Sequence, residues 1–197
     1  GPLLKYFGRK RNMVITGNIN FKILKKDKSQ VNGECYRTIE INNGDIIDII
    51  STNKSVYGYF SVNGGFKLEK VWDSFSTTTR AKAGPNNGQK LIDDQEIKLK
   101  EVNSSSNRKL DYIDSKIEFI RVIKGTNFDY FSEQSIKDFF SKKFEVTKLT
   151  DRMGMRIHGT KLINENYTNI KSEGLVKGTI QIPADGNPII LLSDHGT

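Results

Sequence analysis

Cysteine is almost missing from this chain, since Cys35 is the single one in 197 residues. An internal disulfide is therefore excluded, and the usage fits a reducing compartment. Histidine is nearly as scarce, with only His158 and His195. Neither sits in a Cys/His cluster or on an HExxH helix, so metal ligation is not expected. Cys35 has no histidine near it in sequence to activate it, and is read as a buried spectator. No apolar run approaches the ~20 residues that span a bilayer, and the first residues show no charged-then-apolar leader. The chain is therefore placed in the cytoplasm. There is no GxxxxGK[ST] loop or GxGxxG turn, and no lysine between methionines of the kind that carries biotin. No nucleotide-phosphate cradle is thus recognisable in the chain itself.

Positive charge is abundant by contrast, with a formal net charge of +8 and an isoelectric point near 9.4. Such a balance raises the question of a polyanion partner. Most of it comes from scattered lysines, with one tight cluster at Arg9-Lys10-Arg11 and a looser one at Lys22, Lys25, Lys26 and Lys28. No zinc-finger, helix-turn-helix or RNP-type pattern accompanies the charge. A solvated surface is therefore favoured over a nucleic-acid site.

Short strands with close turns fill the first half. Residues 12–16, 20–24, 36–41, 46–50 and 56–62 read as strands. Asn42-Asn43-Gly44-Asp45 is expected to join the third and fourth as a hairpin. The pair Gly64-Gly65 reads as a turn that could also bring backbone close to a ligand. A hydroxyl-rich segment, Trp72-Asp73-Ser74-Phe75-Ser76-Thr77-Thr78-Thr79-Arg80, follows. Its serines and threonines beside Arg80 could bind an oxyanion or simply form a loop. This pattern argues for a β-barrel or sandwich. The polar run 103–109 reads as a linker.

Beyond the linker, residues 116–123 read as a strand and a helix is expected over 132–140. Ser132 is its N-cap, Phe131 a hydrophobic staple on Ile136, and Ile136, Phe139 and Phe140 its apolar face. Residues 144–149 return to strand character. In Asp151-Arg152-Met153-Gly154-Met155-Arg156-Ile157-His158-Gly159, alternation puts Met155 and Ile157 opposite Arg156 and His158. The C-terminal run reads as strand 179–182, a turn at Pro183-Ala184-Asp185-Gly186, and a buried strand 189–192. It ends in the polar tip Ser193-Asp194-His195-Gly196-Thr197. A tip of this kind is either an ordinary polar loop or a delivery of reactive groups into a cleft. Ser193, Asp194 and His195 are adjacent, so a Ser-His-Asp triad among them would need partners from elsewhere.

The RVIKG, DYF and DRMGMR segments and the ADGNPIILLSD run strongly resemble the KipA family, also called allophanate hydrolase subunit 2 and counted among the 5-oxoprolinase subunits. The close match covers roughly residues 116–197, and a looser one covers the Gly58 to Gly65 stretch with the Ser-Thr-Arg-Gly pattern after it. His195-Gly196 stands where family members usually have Arg-Gln. The resemblance implies a mainly β protein of two β-barrel-like units, the second cyclophilin-like with one helix. The expected organisation is a first unit over 1–102, a linker over 103–112 and a second unit over 113–197. Because family members extend further at both ends, the chain is expected to be a fragment with an unfinished second barrel.

For function, the resemblance implies a subunit of an ATP-dependent 5-oxoprolinase working with a KipI-type subunit and a LamB-type subunit. Opening the unstrained lactam of 5-oxoproline is hard without activation, and phosphorylation of its carbonyl oxygen would make water attack feasible. ATP would belong to the complex, and biotin would enter only through a separate carrier. The alternatives are a carboxyltransferase-type subunit of a urea carboxylase or allophanate pathway, and a non-enzymatic KipA-type regulator that binds a KipI-type kinase inhibitor. Expected catalytic residues are Arg152, as a cation for oxyanions, and Asp194, orienting or accepting a proton. Expected to bind a small anionic substrate are Arg80, His195 and the backbone of Gly64, Gly65 and Gly154.

Overall fold

The computed structural model describes residues 1–53, 57–102, 106–111, 118–165 and 173–196. It divides into two compact units, residues 1–116 and 117–197. All strand pairing between named strands is antiparallel. The described residues are mainly β, with one α-helix. Among them no helix is long and apolar enough to cross a membrane.

The described residues of the first unit form seven strands: β1 Leu3–Lys5, β2 Arg11–Thr16, β3 Ile19–Leu24, β4 Gln30–Asn32, β5 Ile39–Ile41, β6 Ile46–Thr52 and β7 Tyr59–Val62. They form two sheets, ordered β1-β6-β3-β4 and β5-β2-β7. Alternation along the strands explains the core, because successive side chains leave opposite faces. Met13 and Ile15 of β2, Phe21 and Ile23 of β3, and Ile41 and Ile47 are buried together with Tyr6. Cys35 packs at the edge of this cluster. Its Sγ accepts from the Ile19 N–H and donates to the Ile19 carbonyl.

The expected hairpin between residues 36–41 and 46–50 is corrected by the pairing. β5 pairs with β2, whereas β6 pairs with β1 and β3. The Asn-Asn-Gly-Asp turn therefore carries the chain from one sheet to the other. Asp45 holds this corner from a buried position. Its backbone N–H donates to the Asn42 carbonyl, and its Oδ2 accepts from the Asn42 N–H at 2.9 Å and from Lys25 Nζ at 2.7 Å. Part of the expected linker belongs to this unit as well, since residues 106–111 run antiparallel to residues 36–38. Thr38 N–H donates to the Arg108 carbonyl and Leu110 N–H to the Tyr36 carbonyl. The remaining linker positions, 103–105 and 112, lie outside the described residues.

In the second unit, α1 Glu133–Ser141 is followed by β8 Glu145–Val146, β9 Gly154–His158, β10 Ile180–Gln181 and β11 Ile189–Leu191. The sheet order is β10-β11-β9-β8. Ser132 caps the helix as expected, its side chain accepting from the Ser135 N–H at 3.1 Å. Of the expected helix face, Ile136 and Phe139 are half-buried, whereas Ser135 takes the place expected for Phe140. Ser135 is buried, and its hydroxyl donates to the Ile163 carbonyl and accepts from the Ile163 N–H. Phe140 is 63 % exposed and meets Phe139 edge-on. Ser135 and Phe139 are four apart and share one face, which turns Phe140 outward. Residues 118–123, expected as a strand, carry no strand pairing, and Phe119, Ile120 and Ile123 are exposed. Residues 116 and 117 of that expected strand lie outside the described residues.

Candidate functional site

The Asp-Arg-Met-Gly sequence forms a tight turn into β9. Asp151 closes it, because its Oδ1 accepts from the Met153 N–H at 2.9 Å and the Gly154 N–H at 3.1 Å. Its own N–H donates to the Gly154 carbonyl. Local bonding of an aspartate to backbone two and three residues on is the usual reason this residue occupies turns. Asp151 was not among the residues singled out from sequence. An aspartate three residues before a glycine was the available signal.

Against this turn lies the end of β11. Leu192 N–H donates to the Met153 carbonyl and Asp194 N–H to the Arg152 carbonyl. These bonds bring together two residues that are 42 positions apart. Arg152 Nε lies 2.8 Å from Asp194 Oδ2, and Nη2 donates to Oδ1 at 3.3 Å. The carboxylate therefore holds the guanidinium side-on, a two-point geometry that fixes the plane of the group. The Arg152 side chain is 58 % exposed and that of Asp194 20 %. A guanidinium has five N–H groups in a rigid fork, and Arg152 has no further side-chain partner among the described residues.

His195 is placed beside this pair in sequence but not in role. Its Nδ1 lies 2.7 Å from the Leu192 carbonyl oxygen and its Nε2 3.1 Å from that of Leu175. Both ring nitrogens thus lie beside backbone carbonyl oxygens, of which a neutral imidazole can donate to one. Residues 192–195 also close a turn, with His195 N–H donating to the Leu192 carbonyl.

The expected backbone donors are mostly engaged. Gly154 N–H is on Asp151, and a Cβ at Gly154 would lie 2.7 Å from Ile189 Cγ2, so close strand packing explains the glycine. Gly65 N–H donates to the Val62 carbonyl. Gly64 has φ +84 and a Cβ there would lie 2.1 Å from Val102 Cγ2, whereas a Cβ at Gly65, φ +74, would meet nothing within 4 Å. Alanine at either position meets the left-handed penalty of about 1–2 kcal/mol, and at Gly64 it also displaces Val102. Gly64→Ala should therefore lower the urea unfolding midpoint more than Gly65→Ala.

Arg80 sits at the tip of a small loop in the first unit, closed by reciprocal backbone bonds between Thr78 and Ala83. A second reciprocal pair, Val71 with Ser74, closes the preceding turn. Trp72 and Asp73 occupy its left-handed corner at φ 50 and 59, and Trp72 is 87 % exposed. The Arg9-Lys10-Arg11 cluster is largely internal in its bonding. Lys10 pairs with Glu40 at 2.7 Å, and Arg11 Nη1 donates to the carbonyls of Asn63 and Lys100. His158 Nδ1 lies 3.1 Å from Asn187 Oδ1. Among the described residues there is no group of three or more His, Cys, Asp or Glu able to hold a metal ion.

Residues 3–197 match the profile described as carboxyltransferase domain, subdomain A and B. A 5-oxoprolinase subunit of Haemophilus influenzae is 26% identical over 198 residues, covering 100% of this chain and 62% of that protein. The chain therefore spans less than two thirds of that relative's length. The crystal structure of the K. lactis urea amidolyase superposes with a TM-score of 0.78 at 21% identity, over 99% of this chain and 13% of that one. The crystal structure of TTHA0988 gives a TM-score of 0.78 at 22% identity, over 100% of this chain and 37% of that one. At these identities the solved structures speak to the fold alone.

Proposed function

The chain belongs to the carboxyltransferase-domain family, and from that premise we propose that it serves in a 5-oxoprolinase complex, hydrolysing 5-oxoproline to glutamate with ATP beside KipI-type and LamB-type subunits. The carrying observation is the Arg152–Asp194 pair, whose guanidinium is held by two contacts and still presents an open edge. Such an edge suits a carboxylate or a developing oxyanion, since paired N–H donors match two oxygens in a plane. 5-Oxoproline carries a carboxylate, and urea is neutral. The name of the Haemophilus influenzae relative, matched over all of this chain and 62% of its own length, supports the same reading.

Within this reading Arg152 binds and orients the anionic reactant, and Asp194 is a positioning residue that fixes the plane of the guanidinium. ATP chemistry is assigned in this reading to the complex. The second reading is a carboxyltransferase-type subunit acting on urea, in keeping with a 26% identity over 145 residues to the urea amidolyase of Saccharomyces cerevisiae. Co-expression with the partner subunits, followed by parallel assays of glutamate release from 5-oxoproline and ATP-dependent carboxylation of urea, separates the two. Glutamate release is the expected result. Urea carboxylation without glutamate release reverses the assignment, and association with no turnover of either substrate favours the regulatory role.

A further inference from the structure

The first unit holds a concentration of donors of its own. Where residues 36–38 run antiparallel to 108–110, Arg37 and Lys109 stand directly opposite each other. Like charges in that position repel. Glu34 relieves part of the repulsion, giving one carboxylate oxygen to Arg37 at 2.9 Å and the other to Lys109 at 3.1 Å. Its carboxyl is held below the usual value, by the Arg37 hydrogen bond first and then that of Lys109. Arg108 precedes Lys109 in the same segment and has no ion-pair partner among the described residues.

A pocket of about 360 Å³ opens here, lined by Arg37, Thr38, Asn107, Arg108 and Lys109. Every one of these side chains can donate. Thr38 Oγ1 accepts from the Arg108 N–H at 3.0 Å, leaving its O–H to point elsewhere. Asn107 Oδ1 accepts from Asn12 Nδ2 at 3.2 Å, leaving its NH₂ group. Among the described residues no carboxylate lines the pocket, and Glu34 and Asp111 line the neighbouring one instead. Donors from these residues, two of which also serve Glu34, are complementary to a ligand rich in acceptors, and guanidinium groups match phosphate oxygens. The volume is within the range of small-molecule sites and larger than a bare ion requires.

We propose that this pocket binds the phosphate group of a small organic molecule. It lies wholly in the first unit and is independent of the 5-oxoprolinase reading. The test is calorimetric titration of the purified chain, at fixed ionic strength, with inorganic phosphate, ribose 5-phosphate and ADP. At least one of the two organic phosphates should bind saturably at one per chain and at least tenfold tighter than inorganic phosphate. Arg108→Ala should weaken that binding at least tenfold. The backbone bonds between Thr38 and Arg108 survive this substitution, and circular dichroism checks that the fold does too. Arg108→Lys, which keeps the charge and loses the fork, should recover only part of the affinity. Lys137→Ala, which removes an exposed charge from the helix of the second unit, should change nothing. Equal losses in Arg108→Ala and Lys137→Ala would reduce the effect to general attraction and overturn the site. Inorganic phosphate binding as tightly as both organic phosphates, or no saturable binding at all, would overturn it as well.

Discussion

Asp45→Ala should destabilise the first unit by about 3 kcal/mol, the largest loss expected from any single charged residue here. The carboxylate is 2 % exposed and serves two partners at once, the Lys25 ammonium and the Asn42 N–H. Removing it leaves a donor in the corner without an acceptor, and a charge that was held against the core. Lys25 is 26 % exposed and can recover some hydration, which places the cost at the lower end for a broken buried pair. Asp48 provides the contrast. Its pair with Lys22 is longer, 3.7 Å, and both side chains reach solvent, so Asp48→Ala should cost under about 1 kcal/mol. Urea unfolding of the two variants side by side checks the difference.

Arg152→Ala should lower kcat/KM for glutamate release in the reconstituted complex by about a hundredfold or more, the scale for losing a positioned charged donor. Association with the partner subunits should be unchanged. Arg152→Lys should recover little, because a lysine ammonium cannot make the side-on contact with Asp194 and offer a second planar edge together. Equal loss of binding and activity would instead assign Arg152 to the structure of the subunit.

Much of the first unit was legible because burial there follows local alternation. Met13 with Ile15 and Phe21 with Ile23 announce their strands without reference to anything distant. The error at residues 42–45 has a different origin. An Asn-Asn-Gly-Asp turn encodes a change of direction, but whether the next strand pairs with the last or joins another sheet depends on contacts far along the chain. The helix was found through its cap, yet its buried face was set by Ser135 meeting Ile163, a contact between segments. The apolar residues at 118–123 show that a strand-like pattern alone does not make a paired strand.

The site was legible to a similar extent. Resemblance pointed to Arg152 and Asp194, but their union depends on β9 pairing with β11, which no spacing reveals. His195 was expected to contact an anionic substrate, and the Leu192 and Leu175 carbonyls beside its ring nitrogens were invisible in sequence. Gly64 and Gly65 do stand in a turn, while the Gly65 and Gly154 N–H groups are committed to local partners.

The most direct test of the account is a double-mutant cycle on the Arg152–Asp194 pair, read as glutamate release by the complex alongside the unfolding midpoint of each variant. An exposed ion pair contributes about 0–1 kcal/mol to stability, so the midpoints should barely move. Arg152→Ala and Asp194→Ala should each lower activity sharply, and the double variant should be little worse than Arg152→Ala alone, because Asp194 acts through Arg152. Asp194→Ala should act mainly by raising KM. Activity retained in all three variants, or losses that simply follow the unfolding midpoints, would contradict the assignment of this pair to the reaction.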